Sequence, residues 1–233
     1  MIQSGKSTRR RVGTGMRWLV LIVLAAPLLV FVAVMGTRFG LWSVDIGRDL
    51  LTLRIGRWLA LAGLAAAVLG LLLALRDLRR LGLIAGLSLL IALTTVGLFV
   101  RQQSQLAVAG PLDATTAPSD APGFNADTAG LRAALGAPDA PAACPGLAAV
   151  PTQVASETAT AALEGAGFTV RKAGLFQSEG LHDGFWFGLR HDAVVRIRPG
   201  RTDVRVAARD GRPQGAAACR LAREIVAGLQ AGR

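Results

Sequence analysis

Three long apolar segments without a single charged residue fill most of the first hundred positions, and this pattern limits the fold more than any other. The segments are residues 18–37, 58–75 and 81–100, and an arginine bounds each one on both sides. At 1.5 Å per residue, helices of these lengths span about 27–30 Å, which matches the hydrocarbon core of a bilayer. A helix in a soluble core rarely runs so long without a polar face. The sequence therefore predicts an integral membrane protein with a three-helix anchor over residues 18–100.

Basic residues in the short flanking segments indicate the orientation. The tail, residues 1–17, carries five Lys or Arg and no acid, and a basic turn at 76–80 joins the second and third segments. Positive charge is retained on the cytoplasmic side, so the tail and this turn are expected in the cytoplasm. Three crossings then export everything beyond Arg101, with the 38–57 loop also outside. The first segment could instead be a cleaved signal peptide, and either version exports the C-terminal half.

The apolar segments contain no Asp, Glu, Lys, Arg or His. Ion and proton pathways generally need such groups inside the membrane, so the pattern favours a passive anchor over a transporter. Small residues recur at four-residue spacing in the second and third segments, which predicts close helix approach and a possible oligomer through this hairpin. Chance spacing in an Ala- and Gly-rich sequence is the alternative. These small residues are Ala66, Gly70, Ala74, Gly82 and Gly86.

The net charge of +11 belongs mainly to the membrane half. Up to Val100 there are 12 Lys or Arg against 3 Asp or Glu, and from Arg101 onward there are 14 against 12. The soluble half is therefore close to balanced and lacks the basic tract that nucleic-acid binding requires. The sequence excludes nucleic acid as the expected partner.

Beyond a linker at 101–110, residues 111–233 are predicted to form one small α+β domain. Its Pro-rich N-terminal arm extends to about residue 149, with a short helix around 128–135. Apolar spacing then predicts a helix at 153–166 and another at about 215–229, with short β-type runs between them. The expected architecture is an antiparallel sheet of about four strands with two helices on one face. The predicted strands are residues 168–172, 184–189, 193–198 and 202–208.

Period-two alternation in the last two strands separates aliphatic from basic positions. Val195, Ile197, Val204 and Val206 should face the helices, and four arginines should share the other face with Trp186 or Phe187. Guanidinium groups bind phosphate and carboxylate in a bidentate manner, so this row is a candidate surface for anionic lipid headgroups, glycans or a protein partner. The alternative is a solvated face on which Asp203, Asp192 and Asp210 pair with the arginines. The four are Arg196, Arg198, Arg205 and Arg209.

The two cysteines, Cys144 and Cys219, both lie in the exported half, where an oxidising compartment favours a disulfide. A free, buried Cys219 is the alternative. Neither histidine, His182 nor His191, has the neighbours that a metal site needs, and both are expected in loops or turns. The sequence thus predicts no metal, no cofactor and no enzyme. The rival hypothesis is an envelope hydrolase that uses His182, His191 or Cys144.

Two stretches resemble a bacterial envelope family catalogued as domain of unknown function 1499. They are the arm segment 113–124, with its Asp-Ala-Thr-Thr, and the strand region 185–209, with Phe-Trp-Phe-Gly-Leu-Arg-His-Asp. Leu112 stands where the family is expected to have a histidine. The resemblance covers roughly residues 111–229 and implies an ordered arm, spans ahead of the domain and no established activity. The expected protein is therefore an inner-membrane protein with a periplasmic domain that acts in binding or assembly.

Overall fold

A computed structural model gives the structure of the chain over residues 4–75, 77–108, 110–184, 187–212 and 214–232; residues 4–14 and 80 are described by their backbone alone. The chain divides into two compact units, residues 1–103 and 104–233. Each unit has its own packed interior. Trp186, a predicted site residue, lies outside the described residues.

The first unit is helical. Helix α1 is Ser4–Arg38, a π-helix covers Asp45–Gly56 and continues directly into α2 at Arg57–Ala74, and α3 is Leu78–Ala107. Three helical stretches are long and apolar enough to cross a membrane: Gly15–Arg38, Asp45–Ala74 and Leu81–Ala107. The three predicted apolar helices are confirmed. The loop expected between the first two is much shorter than predicted, because the chain is already helical from Asp45.

The small residues of α2 pack mainly against α1. A methyl group added to Gly63 would lie 3.4 Å from the Cα of Val23, and one on Gly70 would lie 3.5 Å from the Sδ of Met16. By contrast, a methyl group on Gly86 in α3 would have no atom within 4 Å. Within the described residues, the close approach that small side chains permit therefore joins the first and second spans.

The second unit contains a five-stranded antiparallel sheet in the order β1-β5-β4-β3-β2. The helices of this unit are α4 (Ala126–Ala134), α5 (Ser156–Gly165) and α6 (Ala217–Ala231), with one 3-10 turn at Pro118–Asp120. The prediction of about four strands missed β1, a three-residue edge strand that the Pro-rich arm supplies. The strands are β1 Asp113–Thr115, β2 Thr169–Ala173, β3 Gln177–Asp183, β4 Arg190–Arg198 and β5 Arg201–Ala208.

The strand predicted at 184–189 is wrong. Residues 185 and 186 lie outside the described residues, but 187 and 188 form a turn with positive φ at Phe187 and Gly188, and the strand is β3, which ends at Asp183. Alternation in β3 places Ser178, Gly180 and His182 on one face, so the strand carries no apolar stripe. Its pairing with β2 and β4, and not its own sequence pattern, makes it a strand.

The apolar core of this unit joins the last two strands to α5 and α6. Alternate residues of β4 and β5 (Val195, Ile197, Val204 and Val206) lie in one buried cluster with residues of both helices. The largest helix contributions are Leu163 from α5 and Leu221, Ile225 and Leu229 from α6. At about 25 cal/mol per Å² of apolar surface removed from water, such a cluster is the main stabilising contribution to the domain.

Candidate functional site

Three of the four arginines predicted to share a face lie at alternate positions of the paired strands β4 and β5, and the fourth follows β5 directly. Arg196 and Arg198 belong to β4, and Arg205 belongs to β5, where it is paired with Val194. Arg209 follows β5 and bonds to the backbone of Arg190. The residues between them, such as Val195 and Val204, belong to the apolar cluster. Alternation in β4 and β5 thus separates a basic face from an apolar one, as the sequence indicated.

The arm covers this basic face instead of leaving it open to solvent. Thr116 bonds to the backbone of Val204 in both directions, and the arm's next turn brings Asp120 against the arginines of β4. Further along, Pro122 and Phe124 lie against Arg205. The sequence predicted mostly extended or turn structure for the arm, with one short helix, and left open whether the rest was a linker or an ordered arm lying over the folded part. Its local pattern did not indicate which face of the sheet it would cover.

Arg205 is the centre of the covered face and is only 5% exposed. Its Nε donates to Asp113 Oδ1 at 2.8 Å and its Nη2 to Oδ2 at 2.6 Å, a bidentate pair between β5 and β1. Its Nη1 donates to the carbonyl oxygen of Pro122 at 3.0 Å, and Asp139 accepts a further bond. Burial acts to lower the pKa of Arg205, but the hydrogen bonds to Asp113 and Asp139 outweigh it and the pKa is raised.

Arg132, on α4, approaches the same carboxylate from the arm side. It lies 3.7 Å from Asp113 and donates to the carbonyl oxygens of Pro138, at 3.0 Å, and Ala208. Both guanidinium groups lie over the ring of Phe124, with centroid distances of 5.0 Å for Arg132 and 4.8 Å for Arg205. Burial lowers the pKa of Arg132, partly opposed by Asp113. Two cations, one carboxylate and an aromatic ring therefore fix the arm on the sheet.

A second ion-pair group lies at the other end of the same face. The fully buried carboxylate of Asp203 accepts from Arg201 at 2.7 Å, from Arg196 at 3.3 Å and from Arg198. Exposed Asp120 of the arm accepts from Arg196 and Arg198, and these hydrogen bonds lower its pKa. Arg198 and Arg201 remain about a third and about half exposed. Within this second group they are the guanidinium groups most open to a ligand; Arg190, at the opposite end of β4, is also about half exposed and pairs with Asp183.

The last arginine of the predicted row is also paired. Arg209 donates to Asp192 at 3.0 Å through Nε, with a second bond through Nη2. Asp203 and Asp192 thus pair with the arginines, as the alternative interpretation expected, whereas Asp210 pairs with Arg212. Every arginine of the predicted row has a carboxylate partner. The first role of these arginines is therefore to hold the sheet and the arm together, and binding a ligand would be an additional role.

Glu179 on β3 anchors the start of α4. The backbone N–H of Asn125 donates to it at 3.0 Å and the Asn125 side chain at 2.6 Å, and Gln177 donates at 2.8 Å. Asn125 also caps the helix, because its side-chain oxygen accepts from the N–H of Thr128. Sequence reasoning missed Glu179, although the Asn at a helix start was a usable signal for the cap.

The two histidines lie opposite each other on β3 and β4, and not in loops or turns as predicted. His182 pairs with His191, with ring centroids 6.2 Å apart, and Phe168 lies 5.4 Å from His182. His191 is 4% exposed, and neither of its ring nitrogens has a hydrogen-bond partner among the described residues. Burial is the main reason that its pKa falls to about 4. The described residues contain no group of three or more His, Cys, Asp or Glu that could hold a metal.

Cys144 and Cys219 form a disulfide with a Cα–Cα distance of 5.8 Å and a sequence separation of 75 residues. Both sulfurs lie in the apolar core, where they tie the end of the arm to α6. Arg223 adds a bond from α6 to the carbonyl oxygen of Pro145 at 3.0 Å. Cys144 therefore has no free thiol in this structure.

No family model, curated protein sequence or solved structure matches the chain.

Proposed function

We propose that the chain is a membrane-anchored protein of the bacterial envelope whose C-terminal domain is exported and acts in binding or assembly. Its partner is an anionic lipid, a glycan or another protein. The observation that carries the proposal is the attachment of a disulfide-bonded domain to three apolar helices. A disulfide in the domain favours an oxidising compartment such as the periplasm. The resemblance to the envelope family 1499 supports the same location.

Binding is favoured over catalysis because the buried carboxylates on the arginine-bearing face of the sheet are committed to guanidinium groups. Asp203 and Asp113 are each surrounded by guanidinium donors, so neither is available as an acid or base. Two of the domain's more exposed cations, Arg198 and Arg201, are the proposed points of contact with an anionic partner.

The export proposal is tested with a membrane-impermeant maleimide on right-side-out vesicles. The native cysteines are bridged, so single cysteines can be introduced at Gln153 in the domain and at Ser7 in the tail. We expect Gln153→Cys to be labelled in intact vesicles and Ser7→Cys only after the membrane is permeabilised. The reverse pattern overturns the proposed orientation.

The binding proposal is tested by photocrosslinking in native envelopes. A photoreactive residue in place of Pro199, which is exposed in the turn between Arg198 and Arg201, is compared with one in place of Ala161, exposed on α5. We expect a discrete adduct from position 199 and a weaker or absent one from position 161. No adduct from position 199 overturns the assignment of this surface.

A hydrolase that uses His182 and His191 is the second candidate, because the two imidazoles are cross-strand neighbours. A groove of about 480 Å³ lies between α5 and α6, and small residues and two glutamates line it: Glu157, Thr158, Ala161, Ala162, Gly165, Glu224, Gly228 and Gly232. Neither histidine lies among these lining residues. Hydrolysis of envelope esters or glycans by the full chain that His191→Phe abolishes, with folding intact, would establish the enzyme.

A further inference from the structure

Helix α4 has its polar and apolar sides reversed relative to an ordinary surface helix. Its cation, Arg132, is 4% exposed and points under the helix toward Asp113. Leu131 and Leu135, four residues apart and therefore on one side, are 53% and 55% exposed. Surface helices normally turn apolar residues inward and charges outward. The reversal has a local cause, because the face of the sheet beneath α4 is a layer of ion pairs.

The outward side of α4 is uniformly apolar apart from one acid near its start. Between Ala126 and Leu135 the charged residues are Asp127 and the buried Arg132. The other outward positions are alanine, glycine and leucine. Two half-exposed leucines on such a surface gain free energy when they leave water for another apolar phase.

The end of the domain at which the chain arrives from the membrane also holds the C-terminal end of α4. We call this the tether end. Leu112 accepts a bond from the N–H of Ala208 at 2.7 Å, so the arriving chain lies beside the end of β5. A methyl group on Gly211, just after β5, would lie 3.1 Å from the carbonyl oxygen of Gly136, which follows α4.

Chain length limits how far the start of β1 can lie from the end of the third apolar run. The apolar run of the third span ends at Val100, and α3 continues to Ala107. Seven more helical residues add about 10 Å. The six steps from there to Asp113 add at most about 20 Å. The first residue of β1 therefore lies within roughly 30 Å of the end of the membrane span.

We propose that the outward side of α4, with Leu131 and Leu135, rests on the lipid surface of the bilayer that anchors the chain. Leucines on a short helix partition into the boundary between headgroups and acyl chains. The covalent tether holds the domain at a high local concentration beside the bilayer, and two leucines alone could not substitute for that effect. The contact fixes one end of the exported domain on the membrane and leaves Arg198 and Arg201, at the other end of the sheet, directed away from it. In that respect it extends the proposed function and rests on it.

The structure offers a matched control at the far end of the sheet. Leu175 and Phe176, in the turn between β2 and β3, are 75% and 70% exposed. This turn lies beside the start of β5, because Gln177 pairs with Arg196 and Arg198 pairs with Arg201. Along β5, the distance from Ala207 back to Arg201 is about 20 Å. Exposed apolar side chains of similar kind are thus available at both ends, and proximity to the tether is the variable.

The test uses the full chain in nanodiscs that hold one copy each. An environment-sensitive fluorophore is attached to Leu135→Cys or to Leu175→Cys, and nitroxide-labelled lipids are used as quenchers. We expect quenching at position 135 and little at 175. A second change, Leu131→Ser, is expected to lower the lipid-contacting population at 135 by about five- to tenfold, since it removes one partly exposed leucine from the contact.

Three outcomes would overturn the inference. The first is equal quenching at both positions, and the second is no quenching at 135. The third is a label at 135 that is dehydrated only in nanodiscs holding two copies, because a second copy of the chain, and not lipid, would then cover α4. Nanodiscs have no sidedness, so this result is independent of the vesicle-labelling test. An exported domain without quenching at 135 refutes the α4 contact alone, and a cytoplasmic domain refutes the export proposal alone.

Discussion

His191 makes the stability of the exported domain sensitive to acid. The imidazole is buried in β4 with neither nitrogen bonded to a described residue, and its pKa is lowered from 6.5 to about 4. Burial is the largest cause. His182 on β3, Arg220 on α6 and Arg132 on α4 act in the same direction, and Asp210 opposes them.

The sign of the effect follows from proton binding. Between pH 6.5 and about 4 the unfolded chain binds a proton at His191 that the folded domain excludes, so stability falls as the pH is lowered through this window. A shift of about 2.5 units at about 1.4 kcal/mol each makes the loss about 3 kcal/mol between pH 7 and pH 4. With an m-value of about 1–3 kcal/mol per M, the urea midpoint should fall by roughly 1–3 M.

The measurement compares the wild-type chain with His191→Phe in nanodiscs. Urea-dependent unfolding of the domain at pH 7 and pH 4 is followed by pulse proteolysis after a return to neutral pH. The variant keeps a ring of similar size and cannot be protonated, so its free energy of unfolding should fall by about 3 kcal/mol less than that of the wild type between pH 7 and pH 4. Carboxylates titrate alike in both chains and cancel in the comparison. Equal losses in the two chains would refute this account of His191.

Three further changes test contacts that hold the domain together, each by its urea midpoint at pH 7 in the same assay. Cys219→Ala, or reduction of the wild-type chain, removes a bridge across 75 residues and should lower the free energy of unfolding by about 2–4 kcal/mol. A reductant should not lower the stability of the variant any further. Arg205→Leu leaves the buried carboxylate of Asp113 without its bidentate partner and should cost about 3–5 kcal/mol. Gly228→Val should destabilise the packing of α5 on α6 by about 1–3 kcal/mol, because a Cβ at 228 already lies 3.1 Å from the Cα of Ala162.

Features that repeat along the chain could be predicted from the sequence. The apolar segments give three helices of spanning length because a bilayer-length run of uncharged residues has few other stable folds. In β4 and β5, Val195 and Ile197 alternate with Arg196 and Arg198, and the structure keeps that separation. In both cases the information lies in the local sequence pattern: an unbroken apolar run for the helices, and alternation for the strands.

Features that depend on partners far away in the sequence could not be predicted. β1 is three residues long and forms by pairing with β5, about 90 residues later. Glu179 and Asn125, and likewise Asp113 and Arg205, are polar residues that local patterns assign to the surface, yet each is satisfied by a group far away in sequence. His191 looked like a turn residue because the preceding strand, β3, has no apolar stripe. A buried polar layer gives no hydrophobic period, so sequence periodicity does not detect it.

The position of β1 decides how the domain would yield to mechanical load. β1 lies at the edge of the sheet, where it pairs with β5 and also bonds to Ala142 of the same arm. Tension from the membrane anchor pulls on the N-terminal end of this arm, so the arm is the part that peels away. Peeling frees about 30 residues, or roughly 100 Å of extended chain, and then stops at Cys144, which is covalently joined to α6. The disulfide therefore acts as a mechanical stop: the arm can lengthen under force while the strands and helices within the bridged loop keep their fold.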